Sequence, residues 1–222
     1  MPAAPFDLST PRGRFRARWA VLWRDHGVLR LAFRNAHRVS EELWRSNQPW
    51  PHQLARWQAL GVKTVVSLRG GSDDAHHLIE KAACEALGLG FRSFRIGSRE
   101  PPTADQVAAA RRLFEDLAYP ALIHCKSGSD RTGVMGTLYL HLRKGLPMRQ
   151  AMRQLGLRYG HLAGGETGIA DYVFARYAAE GEPAQLTLEA WLRQPGHDAA
   201  SLLGAYRAGR GGWALDRLLG RE

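Results

Sequence analysis

His124-Cys125-Lys126-Ser127-Gly128-Ser129-Asp130-Arg131-Thr132-Gly133 lies between two apolar runs, Ala121-Leu122-Ile123 before it and Val134 to Leu142 after it. A short apolar run, a glycine- and serine-bearing turn and a longer helix-compatible run predict a strand, a tight loop and a helix. The loop carries one thiol, Cys125, and one guanidinium, Arg131, with five residues between them. If it curls into a cradle, its backbone N–H groups point inward and the following helix adds the positive end of its dipole. An oxyanion, most naturally a phosphate, is then expected above Cys125. It would be bound by the backbone of Lys126, Ser127, Gly128, Ser129, Asp130 and Arg131. N–H groups at a helix N-terminus favour a thiolate over a thiol. An arginine fork binds two phosphate oxygens at once. Such contacts strengthen as phosphorus becomes trigonal bipyramidal, which is binding of the catalytically useful kind. Gly128 permits the turn at mid-loop, and Thr132 places a hydroxyl where it can assist Cys125.

The string His-Cys-(five residues)-Arg-Thr-Gly at 124–133 resembles the signature of the cysteine-dependent protein tyrosine and dual-specificity phosphatases. A lone Cys-x5-Arg is weak; the full string between an apolar strand and an apolar helix is specific. Leu43-Trp44-Arg45-Ser46-Asn47-Gln48-Pro49, followed by Leu60 to Arg69, is similar to the start of the compact bacterial and fungal members, and the similarity runs over residues 40–180. The resemblance implies an α/β cysteine-phosphatase fold with a central, mostly parallel sheet flanked by helices. It implies hydrolysis of a phosphomonoester through a phosphocysteine, with no cofactor and no metal. Cys125 is then the nucleophile and Arg131 the phosphate fork, while His124 bonds locally and helps hold the electrostatics of the cysteine.

Family members usually take a general acid from a loop upstream of the nucleophile. The corresponding loop here, Gly97 to Pro102, has no aspartate. Asp130, directly before Arg131, occupies the place where myotubularin-like lipid phosphatases carry an aspartate regarded as the acid. By that resemblance Asp130 is the first candidate, and Glu100 and Asp105 are the alternatives. Asp130 could instead be a structural carboxylate that orients Arg131. Asp105 also reads as a charge placed at the first turn of a helix.

The chain has 222 residues, enough for one domain with appended elements and a sizeable core. Its boundaries are expected near 1–39 for a basic helical extension, 40–182 for the catalytic domain and 183–222 for a helical appendage. Its two cysteines, Cys84 and Cys125, imply no disulfide framework and a reducing, cytoplasmic setting. The early apolar run Trp19–Trp23 is too short for a leader or a span. The net charge of +10 favours anionic partners.

Between Arg12 and Arg38 eight arginines face one acid, Asp25. Phe15, Trp19, Leu22, Trp23 and His26 fall on one helical face. Docking of that helix on the core, with its basic face in water, is the favoured reading; contact with an anionic inner-membrane surface is the alternative. Lys126 and this basic segment lean toward a phosphoinositide or another phospholipid headgroup but also suit docking of a phosphorylated protein, and the resemblance puts the protein tyrosine/dual-specificity reading first. A catalytically silent phosphate-binding module is the non-enzyme alternative. Nucleic acid is disfavoured, because charge alone carries no recognition motif.

In order, the pattern predicts strands at 42–47, 63–68, 91–96 and 121–124. Helices are expected over 54–60, 74–87, from a Thr103/Gln106 capping box onward, 147–157 and 169–179, with three short ones after 185. The helix over 74–87 is expected to bury Leu78, Ile79, Ala82 and Ala86 and to turn Cys84 outward. His76 and His77 point apart, and no spacing resembles a zinc site.

Overall fold

The computed structural model describes residues 6–25, 27–71 and 74–208. The expected helical pattern at Trp213–Leu219, and His26, Ser72 and Asp73, lie outside them. The described chain forms two compact units. One runs to Arg95 and adds Ala118–Gly128; the other comprises Ile96–Leu117 and the chain from Ser129 onward.

The first unit holds a five-stranded sheet. Its strands are β1 (His37–Arg38), β2 (Leu43–Asn47), β3 (Thr64–Ser67), β4 (Gly90–Ser93) and β5 (Ala121–Cys125), in the order β1-β2-β5-β3-β4. All neighbours are parallel except β1, which pairs antiparallel with β2 at one edge. The mostly parallel α/β sheet is the one the sequence predicts; β1 was not expected. Central β3 and β5 are buried at every position, as apolar and β-branched runs in a parallel sheet should be. Their places set the ligand end: Cys125 finishes β5 opposite Asn47 of β2, and His124 lies beside Ser46 and Ser67.

Helices α1 (Pro11–Trp23), α2 (Leu29–Ala32), α3 (Pro51–Ala59) and α4 (Ala75–Ala86) complete this unit. Leu54 and Trp57 of α3 pack with Val62, Val65, Leu89, Leu122 and Cys84. Leu60, expected on the same stripe, is exposed beyond the helix end. Two sequence expectations are corrected. Helix α4 buries Ala75, His77, Glu80 and Cys84, while Ala82 and Ala86 face water. An apolarity count misses this face because Glu80 is drawn inward by a polar partner, His124, and carries Cys84 with it one turn later. Helix α1 does dock, but through Ala17 and Val21 against Ala75, Ile79 and Trp50. Its aromatic stripe faces outward: Phe15, Trp19 and Trp23 are 65%, 55% and 57% exposed. Small Ala17 lets the helix approach closely, and large rings on the docking face would hold it off.

The second unit is helical: α5 (Ala104–Asp116), α6 (Asp130–Leu142), α7 (Met148–Ala151), α8 (Ile169–Glu180), α9 (Leu188–Leu192) and α10 (Ala199–Ala208). The Thr103/Gln106 capping box is present, with Gln106 N donating to Thr103 Oγ1 at 3.2 Å and Thr103 N to Gln106 Oε1 at 3.0 Å. Val107, Ala110 and Phe114 form the buried face of α5. Helix α6 starts at Asp130, four residues before the apolar run that predicted it, and is buried over most of its length. The helix expected over 147–157 is short α7 followed by 3-10 turns at Met152–Gln154 and Leu157–Tyr159.

Candidate active site

The loop after β5 is held by its carbonyls. Lys126 O accepts Gln48 N–H at 3.4 Å, Ser127 O accepts the Asn35 amide at 3.0 Å, and Gly128 O accepts Arg45 Nη2 at 2.8 Å. Three consecutive carbonyls are thus tied to the framework. Because each peptide is planar and trans, the N–H groups of residues 127 to 129 point the opposite way. One of them is seen at work: Gly128 N donates to Cys125 Sγ at 3.2 Å. Gly128 has φ +77°, and a Cβ there would stand 2.6 Å from Asn47 N and 2.7 Å from Ser46 C and O. Only glycine fits here, and it sets the turn of the loop on this side of the Gly128–Ser129 peptide.

Arg45 is fully buried, and neither it nor Asn35 was singled out from the sequence. A buried arginine on a strand pattern was the available signal, since such a charge needs a dedicated acceptor. Asn47 continues the bracing: its N–H donates to Arg34 O at 3.0 Å and its amide reaches Phe33 O. The segment before β1 is therefore anchored to the strands that carry the loop.

His124 is buried, with Nε2 2.7 Å from Glu80 Oε1. Gln48 Nε2 donates to the other oxygen, Oε2, at 2.9 Å. His124 thus faces Glu80, a residue the sequence reading did not single out. Lys126 Nζ lies 3.7 Å from Asp25 Oδ1. Asp25 in turn takes both Arg69 nitrogens at 2.9 Å and Arg30 Nη2 at 2.7 Å. Burial alone would raise the Asp25 carboxyl, but Arg69 and Arg30 outweigh it and hold it down at about 2. Cys84 is no partner for Cys125: it lies in the core, and burial beside Glu80 and Glu85 pushes its thiol up to about 12.

In the second unit, Ser129 is buried at the N-cap of α6, and Asp130, Arg131 and Thr132 form its first turn. Among the described residues the Arg131 guanidinium makes no ion pair or hydrogen bond. Thr132 Oγ1 is buried and likewise unpartnered there. Asp130 is engaged: its Oδ1 is 2.7 Å from Nδ1 of His161, a buried histidine not predicted as a site residue. The alternative acids sit differently. Asp105 is 94% exposed at the start of α5 and is met by Arg193 at 3.1 Å; Glu100 is exposed beside Gly97. Among the described residues no group of three or more His, Cys, Asp or Glu is arranged to hold a metal.

The family model for DSP-PTPase phosphatase fused to NAD+ kinase matches residues 32–166, more than half of the chain. The chain belongs to this DSP-PTPase phosphatase family. The match spans the loop and both of its flanks, from the segment before β1 to the Glu166 turn. A curated relative, the dual specificity protein phosphatase TpbA of Pseudomonas aeruginosa, is 32% identical over 122 residues, 54% of this chain and 53% of that protein. The same protein from a second strain is 31% identical over 122 residues. The chain thus spans about half the length of the curated relatives it matches. Among solved structures, P. aeruginosa TpbA aligns with a TM-score of 0.48 at 24% identity, covering 66% of this chain and 84% of that one. PTPMT1 aligns with a TM-score of 0.49 at 13% identity, covering 68% and 99%. No described helix is long and apolar enough to cross a membrane.

Proposed function

We propose that this DSP-PTPase family member hydrolyses phosphomonoesters on proteins through a phosphocysteine at Cys125. The observation that carries the reading is the Gly128 N–H on Cys125 Sγ, within a loop whose 126–128 carbonyls are all bound away. Sulfur attacks phosphorus as the ester P–O bond breaks. Backbone N–H groups of 126–131 and the Arg131 fork take the equatorial oxygens, whose charge grows in the transition state. Asp130 protonates the leaving oxygen. Water then attacks the phosphocysteine, giving its proton to Asp130 as the P–S bond breaks. The buried Thr132 hydroxyl is available to the departing sulfur. Residues 40–182 form the catalytic region in this reading, with 1–39 and 183–222 as appendages. The relatives' name, dual specificity protein phosphatase, supports phosphoprotein substrates over lipid headgroups. The intact Cys125 and Arg131 disfavour a silent binding module.

The test is phosphate release by the purified protein from phosphotyrosine and phosphoserine peptides and from phosphoinositides. Cys125→Ser should abolish it and vanadate should inhibit it. Asp130→Asn should lose far more rate with poor leaving groups than with good ones. Equal losses would make Asp130 structural, and lipid-only turnover would replace the protein substrate.

The N-terminal surface adds a second reading, peripheral contact with an anionic membrane. The Phe15, Trp19 and Trp23 rings follow one another along α1, with centroids 6.1 and 5.7 Å apart, and Arg12, Arg14, Arg16, Arg18 and Arg24 are exposed around them. Interfacial tryptophans with arginines suit an acidic headgroup layer. Vesicles of phosphatidylcholine with phosphatidylglycerol should co-sediment the protein. Pure phosphatidylcholine vesicles should not, and Trp19→Ala/Trp23→Ala should weaken binding about tenfold or more. Equal binding to both vesicle types, or an unaffected double variant, would refute the contact.

A further inference from the structure

His161 is the buried ionisable group that the reaction outlined above leaves unused. It lies between the Leu157–Tyr159 turn and α8, and its side chain is 1% exposed. Nδ1 stands 2.7 Å from Asp130 Oδ1 and Nε2 stands 2.6 Å from Asp171 Oδ2. A neutral imidazole has one N–H, and an ionised carboxylate can only accept. Two such contacts at these distances are both satisfied when the ring carries both protons, or when a proton has passed to one carboxyl. Either way the Asp130–His161–Asp171 cluster holds one proton more than two carboxylates and a neutral ring.

The surroundings agree. Asp130 faces the ring from the first turn of α6 and Asp171 from the first turn of α8; Glu166, on the 3-10 turn before α8, is occupied by Arg99 at 3.3 Å. Burial would drive the imidazole toward neutrality, but the hydrogen bonds to Asp130 and Asp171 and their charges prevail and lift it to about 9. The side chain of Asp130 is 16% exposed, so its far oxygen keeps an outlet while His161 has none.

We propose that His161 is a positioning residue that recharges Asp130 with the proton it delivers, and that Asp171 holds His161 in the orientation needed to do so. The inference rests on the reading of Asp130 as general acid. As the ester P–O bond breaks, the cluster's one extra proton passes from Nδ1 to Asp130 and from Asp130 to the leaving oxygen, so that Asp130 is left ionised. The ring is left neutral, with its remaining proton on Nε2 toward Asp171. When water attacks the phosphocysteine, its proton passes to Asp130 and back to Nδ1, and the cluster is restored. An isolated aspartic acid is ionised above about pH 4 and a poor acid at neutrality. The His161 reservoir keeps the pair protonated into the alkaline range. This relay makes an upstream-loop aspartate unnecessary, which accounts for its absence from Gly97 to Pro102.

The test compares wild type with His161→Gln and Asp171→Asn on two aryl phosphates over pH 5–10. Phenyl phosphate needs its leaving group protonated; 2,4-dinitrophenyl phosphate does not. For His161→Gln, turnover of phenyl phosphate at pH 8 should fall about 100-fold, within the range of general-acid contributions, while the activated ester changes little. The alkaline limb for phenyl phosphate should move toward acid by more than a unit. Asp171→Asn should move it the same way by less. An unmoved limb, or equal losses on both esters, overturns the proposal. Should His161→Gln fail to fold, nitrogen NMR of the wild-type imidazole decides. A doubly protonated ring at pH 7.5, or a neutral ring beside a carboxyl carbon of Asp130 or Asp171 that reads as protonated, supports the relay; a neutral ring with both carboxyls ionised refutes it. Failure of the broader phosphatase reading would look different, as Cys125→Ser retaining activity.

Discussion

Gly128→Ala is the sharpest perturbation of the loop. The residue sits at φ +77°, where an ordinary side chain costs roughly 1–2 kcal/mol. Its new Cβ would also meet Asn47 N at 2.6 Å and Ser46 C and O at 2.7 Å. Those atoms are backbone of β2 and cannot swing aside as a flexible side chain would. Overpacking of that kind adds about 1–3 kcal/mol. The sum, about 2–5 kcal/mol, exceeds the ~1 kcal/mol net worth of an ordinary hydrogen bond. The loop should therefore relax by moving away from β2, which withdraws Gly128 N from Cys125 Sγ and strains the Arg45 bond to Gly128 O. If a third to all of the strain appears at the transition state, kcat/KM for an aryl phosphate falls roughly 3- to 4000-fold. The assay is steady-state kinetics beside thermal unfolding. Gly145→Ala is the control: φ is +67° there but nothing lies within 4 Å of a Cβ, so only the backbone cost applies and activity should be unchanged. A Gly128→Ala protein as active as Gly145→Ala would refute the loop geometry.

Other outcomes follow from the same contacts. Glu80→Gln removes the charge beside buried His124 and should cost about 1–3 kcal/mol, read as a lower urea midpoint; an unchanged midpoint would contradict the His124–Glu80 contact. Stability should vary with pH at both ends. Asp25, held at about 2, contributes in full above its ordinary 3.8 and loses that contribution as pH falls from there toward 2. His161, held at about 9, contributes in full below its ordinary 6.5 and loses it as pH rises from 6.5 toward 9. Each should amount to about 1–2 kcal/mol after screening, and a wild-type stability flat across both windows would contradict the two clusters. Iodoacetamide should inactivate the native protein by labelling Cys125 while Cys84 stays unmodified; comparable labelling of Cys84 would contradict its place in the core.

The sheet was legible because β3 and β5 are short, apolar and β-branched, and because the 124–133 string joins a strand to a helix. β1 was not, since two residues, His37 and Arg38, carry no periodic signal. The outward aromatic stripe of α1 and the inward Glu80 of α4 defeat the same assumption, that apolar positions mark the buried face. In α1 the docking face is made by small residues, and in α4 by a polar pair whose second member, His124, lies 44 residues away. The site divides likewise. Cys125, Gly128, Asp130 and Arg131 sit in one contiguous motif and could be read directly. Arg45, Asn35, Glu80 and His161 reach it only through folding, from partners 31 to 92 residues away in sequence, and apart from the strand pattern around Arg45 no local pattern distinguishes them from ordinary polar positions.

The central claim is that Cys125 becomes phosphorylated during turnover. Acid quench of the protein mixed with an aryl phosphate, followed by peptide mass spectrometry, tests it directly. One phosphoryl group on the peptide containing Cys125 is expected, forming and decaying at rates consistent with turnover and absent from Cys125→Ser. Turnover by Cys125→Ser, or a phosphoryl group on any other residue, would contradict the account.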